Sequence, residues 1–354
     1  MMTTMMHVYM IVIAIVVACL FRILSADTCR QKLGRYLLHP AWHKQRQSKP
    51  RERGQQCTHQ TRAYAEGSGA CADNSYKDFQ YRDFQRRWLK TLIIFLVPPV
   101  FLLTTALAVV IMGPSSCHAF EGWLSYCLAS GFLMLAGLSW IYIGWSGFTF
   151  QRTVLRAPSR VIETSFGSVV SHVLDVPAVF SAQIGCWNPT LVVSSALVRQ
   201  LDEEHLFAVL AHEVGHVYYR DTFWFLWLGG FRRLTFWLPG TESLWQELLL
   251  LRELRADRWA TQYVDNLVLA ESLMNVVSSP LAAPLFTVTT AASFSCPLST
   301  DRLSQRVDAI LAEEPASVSV NSYVRGSRRL TDWFSLCISL SWSLTPLMTI
   351  PLHH

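Results

Sequence analysis

Four long apolar runs divide the chain: Met5–Leu24, Leu89–Met112, Trp123–Phe148 and Trp333–Leu352. Each is close to the roughly 20 residues a helix needs to cross a bilayer, so each is predicted to be a transmembrane helix. The first carries Arg22 near its end, and the second contains Pro98-Pro99, predicted to kink it. In the third, Ser130, Gly137 and Gly144 recur every seven residues. They either form a face for close helix packing or reflect ordinary transmembrane glycine usage. Residues 25–88 are polar, and the part from 40 to 87 is rich in Arg, Gln and Ser and poor in aliphatic residues. It is expected to be a basic loop. It serves either as an anionic-lipid contact or, the better-supported reading, as a topology signal and solvated linker.

From 149 to 332 the pattern shortens. Val179–Ile184 and Leu191–Ser194 read as two strands joined by a turn at Asn188-Pro189. In residues 201–220, LDEEHLFAVLAHEVGHVYYR, the positions Leu206, Val209, Leu210, Glu213 and Val217 share one side of a helix. Asp202 is its expected N-cap, with Glu203 and Glu204 in the positive first turn. Residues 241–265, TESLWQELLLLRELRADRWATQYVD, predict a second helix capped by Thr241. Between the two, residues 222–239 are rich in Trp and Phe but too short and too charged to span. This run either lies at the bilayer interface or packs in the domain core. The predicted fold is α+β: helical membrane spans plus one domain at 149–332 with a small sheet.

Composition narrows the class. The chain is 51% hydrophobic and 16% charged, against roughly 25% charge in an ordinary soluble domain. That excludes a typical soluble protein and a disordered one. A net charge of +5 is too mild for nucleic-acid binding. The charge is unevenly placed: residues 22–88 hold 14 Lys+Arg against 6 Asp+Glu, whereas 113–122 holds no Lys or Arg. Arg152, Arg156 and Arg160 follow the third run, and Arg325, Arg328 and Arg329 precede the fourth. The positive-inside rule then makes 22–88 and 149–332 cytoplasmic, in a multi-pass protein of the cell membrane with both termini outside. Nine Cys, an odd count with no C-x-x-C pair, fit a reducing compartment. Val16-Val17-Ala18-Cys19 has the look of a lipoprotein cleavage box, but residues 1–10 lack the basic start of a signal peptide. The last of only 5 Lys is Lys90, which excludes a P-loop or Ser-Lys dyad beyond it.

The chemistry sits in the first predicted helix of the domain, at His212-Glu213-Val214-Gly215-His216. Two His four residues apart lie one turn apart on one face, so both imidazoles can reach one ion. Glu213 is placed to take a proton from a metal-bound water and pass it to a leaving amine. Apolar neighbours on both sides argue against a freely solvated charged face. A catalytic zinc wants three protein ligands and an open position. Glu253 in the second helix would supply the third, with Asp257 one turn later able to accept the other N–H of a bound His. Glu247 is the alternative ligand, and pairing of both carboxylates with Arg252, Arg255 and Arg258 is the structural alternative.

HEVGH followed by the Glu of ELRAD resembles the integral-membrane gluzincin peptidases, among them HtpX-type and CAAX-prenyl proteases and the BlaR/MecR antibiotic-sensor peptidases. The stretch SAQIGCWNPTLVVSSALVRQLDEEHLFAVLAHEVGHVYYRD, Ser181–Asp221, is most similar to the sensor group, and the resemblance covers about 165–310. It implies a zincin-type domain with two metal-binding helices, one zinc per chain on His212, His216 and Glu253, Glu213 as general base, and Asp257 behind the ligands. It also implies an edge strand beside the zinc that pairs with an extended protein or peptide substrate. DRLSQRVDAIL is similar to the family's closing helix, so Arg306 is one candidate oxyanion donor, with His172, Tyr218 and Tyr219 as rivals. The sequence has no S-x-x-K and ends after the fourth run, so a complete antibiotic receptor is not expected. The expected activity is that of a zinc metalloendopeptidase. Its partners are a protein or peptide substrate, which could be a regulator, and the lipid bilayer. A non-catalytic scaffold would be expected to have lost part of this residue set. A transporter would be expected to carry ionisable residues inside the second or third run.

Overall fold

The computed structural model describes residues 6–37, 60–114, 119–164, 167–278, 300–312 and 337–352. Expectations that fall on 38–59, 279–299, 313–336 and the start of the fourth apolar run lie outside the described residues.

Three helices are long and apolar enough to cross a membrane, with qualifying stretches His7–Ser25, Phe84–Met112 and Phe120–Val154. They belong to α1 (Met6–Leu37), α2 (Gln60–Met112) and α3 (Ala119–Val154). Their outer faces present large apolar side chains such as Ile13, Leu24, Leu135, Ile141 and Trp145. α2 continues through Pro98 and Pro99 without ending. The polar region expected to be a loop is helical at both ends, because α1 runs on to Leu37 and α2 begins at Gln60. Once a span supplies the nucleus, adding a further turn costs little. Of the fourth run, Cys337–Ile350 forms a shorter apolar helix that ends as a 3-10 turn over Thr345–Leu352. It leans on α2, where Thr104 donates to the Ser343 carbonyl.

A four-stranded sheet follows, built from β1 (Ser159–Thr164), β2 (Gly167–Leu174), β3 (Ser181–Ile184) and β4 (Thr190–Ser194). The order is β1-β2-β4-β3, with β2 and β4 parallel and the two outer pairs antiparallel. The β3–β4 hairpin lies where the sequence predicts it, and β3 is an edge. β1 and β2 carry Val-Ile and Val-Val pairs instead of a clean alternation, and the sequence pattern did not reveal them.

The short helix α4 (Ser195–Gln200) leads into α5 (Glu203–Tyr218), capped by Asp202 accepting from the His205 N–H. Leu191 and Val193 of β4 share a core with Leu197, Leu201, Val209 and Leu210. Helix α6 (Asp221–Leu234) lies against α3, and α7 (Thr241–Ala260) packs on α5 and α2. Thr241 is not the cap of α7. The chain enters that helix through Gly240 at φ 74, a left-handed conformation glycine takes without steric cost. The Thr241 hydroxyl turns back to donate to the Thr235 carbonyl. α8 (Asn266–Ser278) and α9 (Thr300–Ala312) close the domain around Ala208, Ala211, Ala260 and Ile310. The aromatic run 222–239 therefore packs against the apolar helices while leaving Trp224, Phe236 and Trp237 exposed.

Candidate metal centre

The candidate centre forms where α5 crosses α7. The crossing is close because α5 carries Gly215 at it: a Cβ there would meet the Ala256 Cα and carbonyl oxygen at 3.2 Å. That approach brings Glu253 to the two motif imidazoles. His212 Nε2 and His216 Nε2 are 3.2 Å apart, and the Glu253 carboxylate lies 3.4 Å from the first and 3.8 Å from the second. One donor atom from each of the three residues falls within 4.8 Å of the others, a group that could hold a metal ion. Two imidazole nitrogens and a carboxylate suit zinc, with a fourth position left for water. The donor set therefore fits the metal. Glu247, the alternative ligand, is engaged elsewhere: Arg87 Nε donates to it at 2.6 Å.

Each imidazole has a carboxylate behind it. His212 Nδ1 lies 2.8 Å from Asp257 Oδ1, and His216 Nδ1 lies 2.8 Å from Asp221 Oδ2. These contacts leave Nε2 of both rings facing the centre and fix ring orientation. Asp257 is a residue the sequence analysis named for this place. Asp221 was not foreseen. It starts α6 directly after Arg220, whose φ of 54 is the only positive value among the described non-glycine residues. That left-handed turn folds the chain back so that Asp221, five residues past His216, points at it. An acidic residue so soon after the second His is the one sequence signal for this role.

Guanidinium groups hold the carboxylates. Arg306 on α9 makes two bonds to Asp257, at 2.8 and 2.7 Å, and stands 3.3 Å from Glu253. Arg252 donates to Glu253 at 2.9 and 2.6 Å, and Arg255 pairs with Asp221. Burial would raise the Glu253 pKa, but Arg252 and Arg306 outweigh it and hold the carboxyl well below its ordinary range. Burial also works to raise Asp257, and Arg306 and His212 likewise outweigh it, so its pKa is lowered. At His212 burial disfavours the imidazolium, yet Asp257 and Glu253 push its pKa up to about 9. The candidate oxyanion donors are not gathered at the centre as free groups. Arg306 is committed to Asp257 and Glu253. His172 Nδ1 lies 2.8 Å from the Ala157 carbonyl, and Tyr218 is exposed with its ring against Tyr219.

Glu213 is buried beside the centre and is tied to the edge strand. Ser181, the first residue of β3, donates its hydroxyl to Glu213 Oε1 at 2.7 Å, and Gln183 Nε2 reaches the Glu213 carbonyl at 3.4 Å. The sequence reading placed β3 near the site but did not foresee that its side chains orient Glu213.

Residues 169–250 match the family model of Peptidase family M48. The match runs from β2 through α5 into α7 and ends just short of Glu253. M48 peptidases are metal-dependent proteases, so the match supports a metallopeptidase family for this domain. No curated protein matches the chain, and no solved structure does.

Proposed function

We propose that this chain is a zinc-dependent integral-membrane endopeptidase whose 149–332 domain cleaves protein or peptide substrates on the cytoplasmic side. One observation carries the reading. His212, His216 and Glu253 converge on a single point, and each imidazole is backed by its own buried carboxylate. A solvated charged helix face would have no reason for that arrangement. When bound by His212, His216 and Glu253, zinc would supply Lewis acidity to the scissile carbonyl and lower the pKa of its water.

The chain's own groups do the rest. Glu213 accepts a proton from the attacking water and returns it to the leaving amine. Ser181 holds the Glu213 carboxylate in place through its Oε1, leaving Oε2 for that exchange. Asp257 and Asp221 keep the two imidazoles in the tautomer that presents Nε2. The edge of β3, unpaired with any other strand among the described residues, can take an extended substrate strand by main-chain pairing, beside the residue that moves the proton. The likeness of Ser181–Asp221 to the sensor peptidases supports a protein substrate of regulatory kind. The three apolar helices and the basic flank at 22–88 support the membrane orientation.

The test is a comparison of cleaved protein termini in cells carrying wild-type protein or Glu213→Gln. Fragments present with the wild type and absent with the variant support the proposal. Identical fragment sets, with both proteins expressed at equal level, would reject peptidase activity in favour of a scaffold.

A further inference from the structure

The turn joining α6 to α7 lies alongside the middles of the apolar helices and not at their ends. Leu238 is buried among Ala14, Ala18 and Leu102, with Phe101 and Phe132 packed against the same cluster. Those residues occupy the central parts of the stretches His7–Ser25, Phe84–Met112 and Phe120–Val154. Two residues further along α7 give the scale. Glu247 pairs with Arg87, and Arg255 stacks over Trp88 at 4.4 Å, both partners lying at the basic end of the α2 stretch. At 1.5 Å per residue, Leu102 lies about 22 Å further along α2 than Arg87. Half of the hydrocarbon layer is about 15 Å. The tip therefore reaches the depth of the bilayer centre by contacts from three separate helices.

α6 descends along the same wall. Trp140 of α3 meets Phe231 edge-on at 5.2 Å and Trp227 at 6.0 Å. Gly230 makes this possible, since a Cβ there would fall 2.0 Å from the Trp140 indole nitrogen.

The turn is also built for a medium without water. Thr235, Leu238, Thr241 and Leu244 N–H groups donate to the Phe231, Thr235, Leu238 and Gly240 carbonyls. The Thr235 and Thr241 hydroxyls donate to the Phe231 and Thr235 carbonyls, and the Trp237 indole N–H to the Leu234 carbonyl. Non-helical backbone survives at membrane depth only with such internal satisfaction. The charges nearby are paired: Arg232 bonds Glu242 at 2.8 and 3.0 Å, with the Glu242 side chain 59% exposed, and Arg233 lies over the Tyr142 ring. Pairing of opposite charges lowers the cost of ions at that depth. Against these internal bonds, Phe236 is 77% exposed, and its neighbour Trp237 is exposed as well.

We propose that α6, the turn and α7 form a re-entrant hairpin. It enters the bilayer from the side carrying the peptidase domain, with its turn near the midplane and Phe236 and Trp237 against lipid acyl chains. The proposal rests on the reading that α1, α2 and α3 cross a membrane. It goes beyond an interfacial aromatic patch. It makes lipid the partner of the segment between the two metal-binding helices, and it fixes the height of Glu253. That residue is about 18 Å along α7 from Thr241, on the side of the turn facing the peptidase domain.

The full chain in phosphatidylcholine vesicles would be photolabelled with lipids carrying a diazirine at the acyl-chain end or in the headgroup, and with a charged, membrane-impermeant diazirine. Mass spectrometry would then read the tryptic peptides. The chain-end lipid should label Leu234–Arg252, with adducts on Phe236 or Trp237, as strongly as it labels Thr91–Arg152 of the spans. The impermeant probe should label Gln200–Arg220 and spare Leu234–Arg252. Labelling of Leu234–Arg252 mainly by the headgroup or impermeant probe, or by none while Thr91–Arg152 is labelled, would overturn the hairpin and leave the membrane and peptidase readings standing. Absence of chain-end labelling on Thr91–Arg152 as well would remove both the hairpin and the spans.

Discussion

Replacing Asp221 by Asn isolates the residue that the left-handed Arg220 turn aims at the candidate centre. In the structure its Oδ2 is 2.8 Å from His216 Nδ1, and its other oxygen is paired with Arg255. Asn keeps the shape and one acceptor oxygen but loses the charge. A hydrogen bond to a charged group contributes about 1.5–3 kcal/mol and a neutral one about 0.5–1.5. The expected loss at His216 is therefore about 1–1.5 kcal/mol. At 1.36 kcal/mol per tenfold this is roughly a tenfold weakening of zinc affinity, inside the 10–100-fold range for partners of metal-bound His. Arg255 separates this from a general loss of stability. Its guanidinium also lies over the Tyr219 and Trp88 rings, at 4.2 and 4.4 Å, so it retains partners when the carboxylate goes. Arg255→Gln should lower the unfolding temperature in detergent while leaving zinc affinity within about threefold, because the His216 acceptor remains. Competition with a chromophoric chelator would measure both variants. Wild-type zinc affinity in Asp221→Asn, or an equal loss in Arg255→Gln, would refute the reasoning.

Asp257→Asn should weaken zinc binding or cleavage about 10–100-fold and also destabilise the fold, since it strips Arg306 of a buried bidentate partner. Because the Asp257 pKa is lowered by folding, its stabilising contribution is present above about pH 4 and fades as pH falls further. The variant's unfolding temperature should lose that part of the wild type's acid dependence. Gly215→Val should push α7 from α5 at Ala256 and lower metal content while the protein still expresses, measured by metal analysis of purified material; full metal content would contradict the close crossing. After zinc is stripped by a chelator, His212 keeps its proton up to about pH 9. Rebinding must expel that proton, so affinity should climb by about tenfold per pH unit below that point and level off above it. A titration that is flat between pH 6.5 and 8.5 would contradict this sign.

Local rules made parts of this protein legible. The apolar runs are a length argument, and three of them correspond to helices of the required kind. The Asp202 cap and the His212–His216 spacing follow from helix geometry alone. Glu253 stood out from Glu247 because Asp257 follows it by one turn, and the structure gives Glu247 to Arg87 instead. The rest depended on contacts distant in sequence or on single unusual dihedrals. Asp221 reaches His216 only through a non-glycine left-handed residue. Arg306 lies 49 residues from Asp257 in sequence, and only the fold brings its guanidinium onto that carboxylate. Ser181 looks like an ordinary strand residue until β3 is set beside α5. Thr241 had the residue type of a cap, and the left-handed Gly240 before it took the position. The aromatic run 222–239 could not be placed by composition, since depth is set by which parts of α1, α2 and α3 it touches.

The central claim is that α5 and α7 build one zinc site from His212, His216 and Glu253 around a separate proton carrier. The most direct measurement is zinc per chain in purified wild type, Glu213→Gln, Glu253→Ala and Glu247→Ala, each checked for folding. The account predicts about one zinc in the wild type, in Glu213→Gln and in Glu247→Ala, and a sharp loss in Glu253→Ala. Full zinc in Glu253→Ala, or its loss in Glu247→Ala alone, would contradict it.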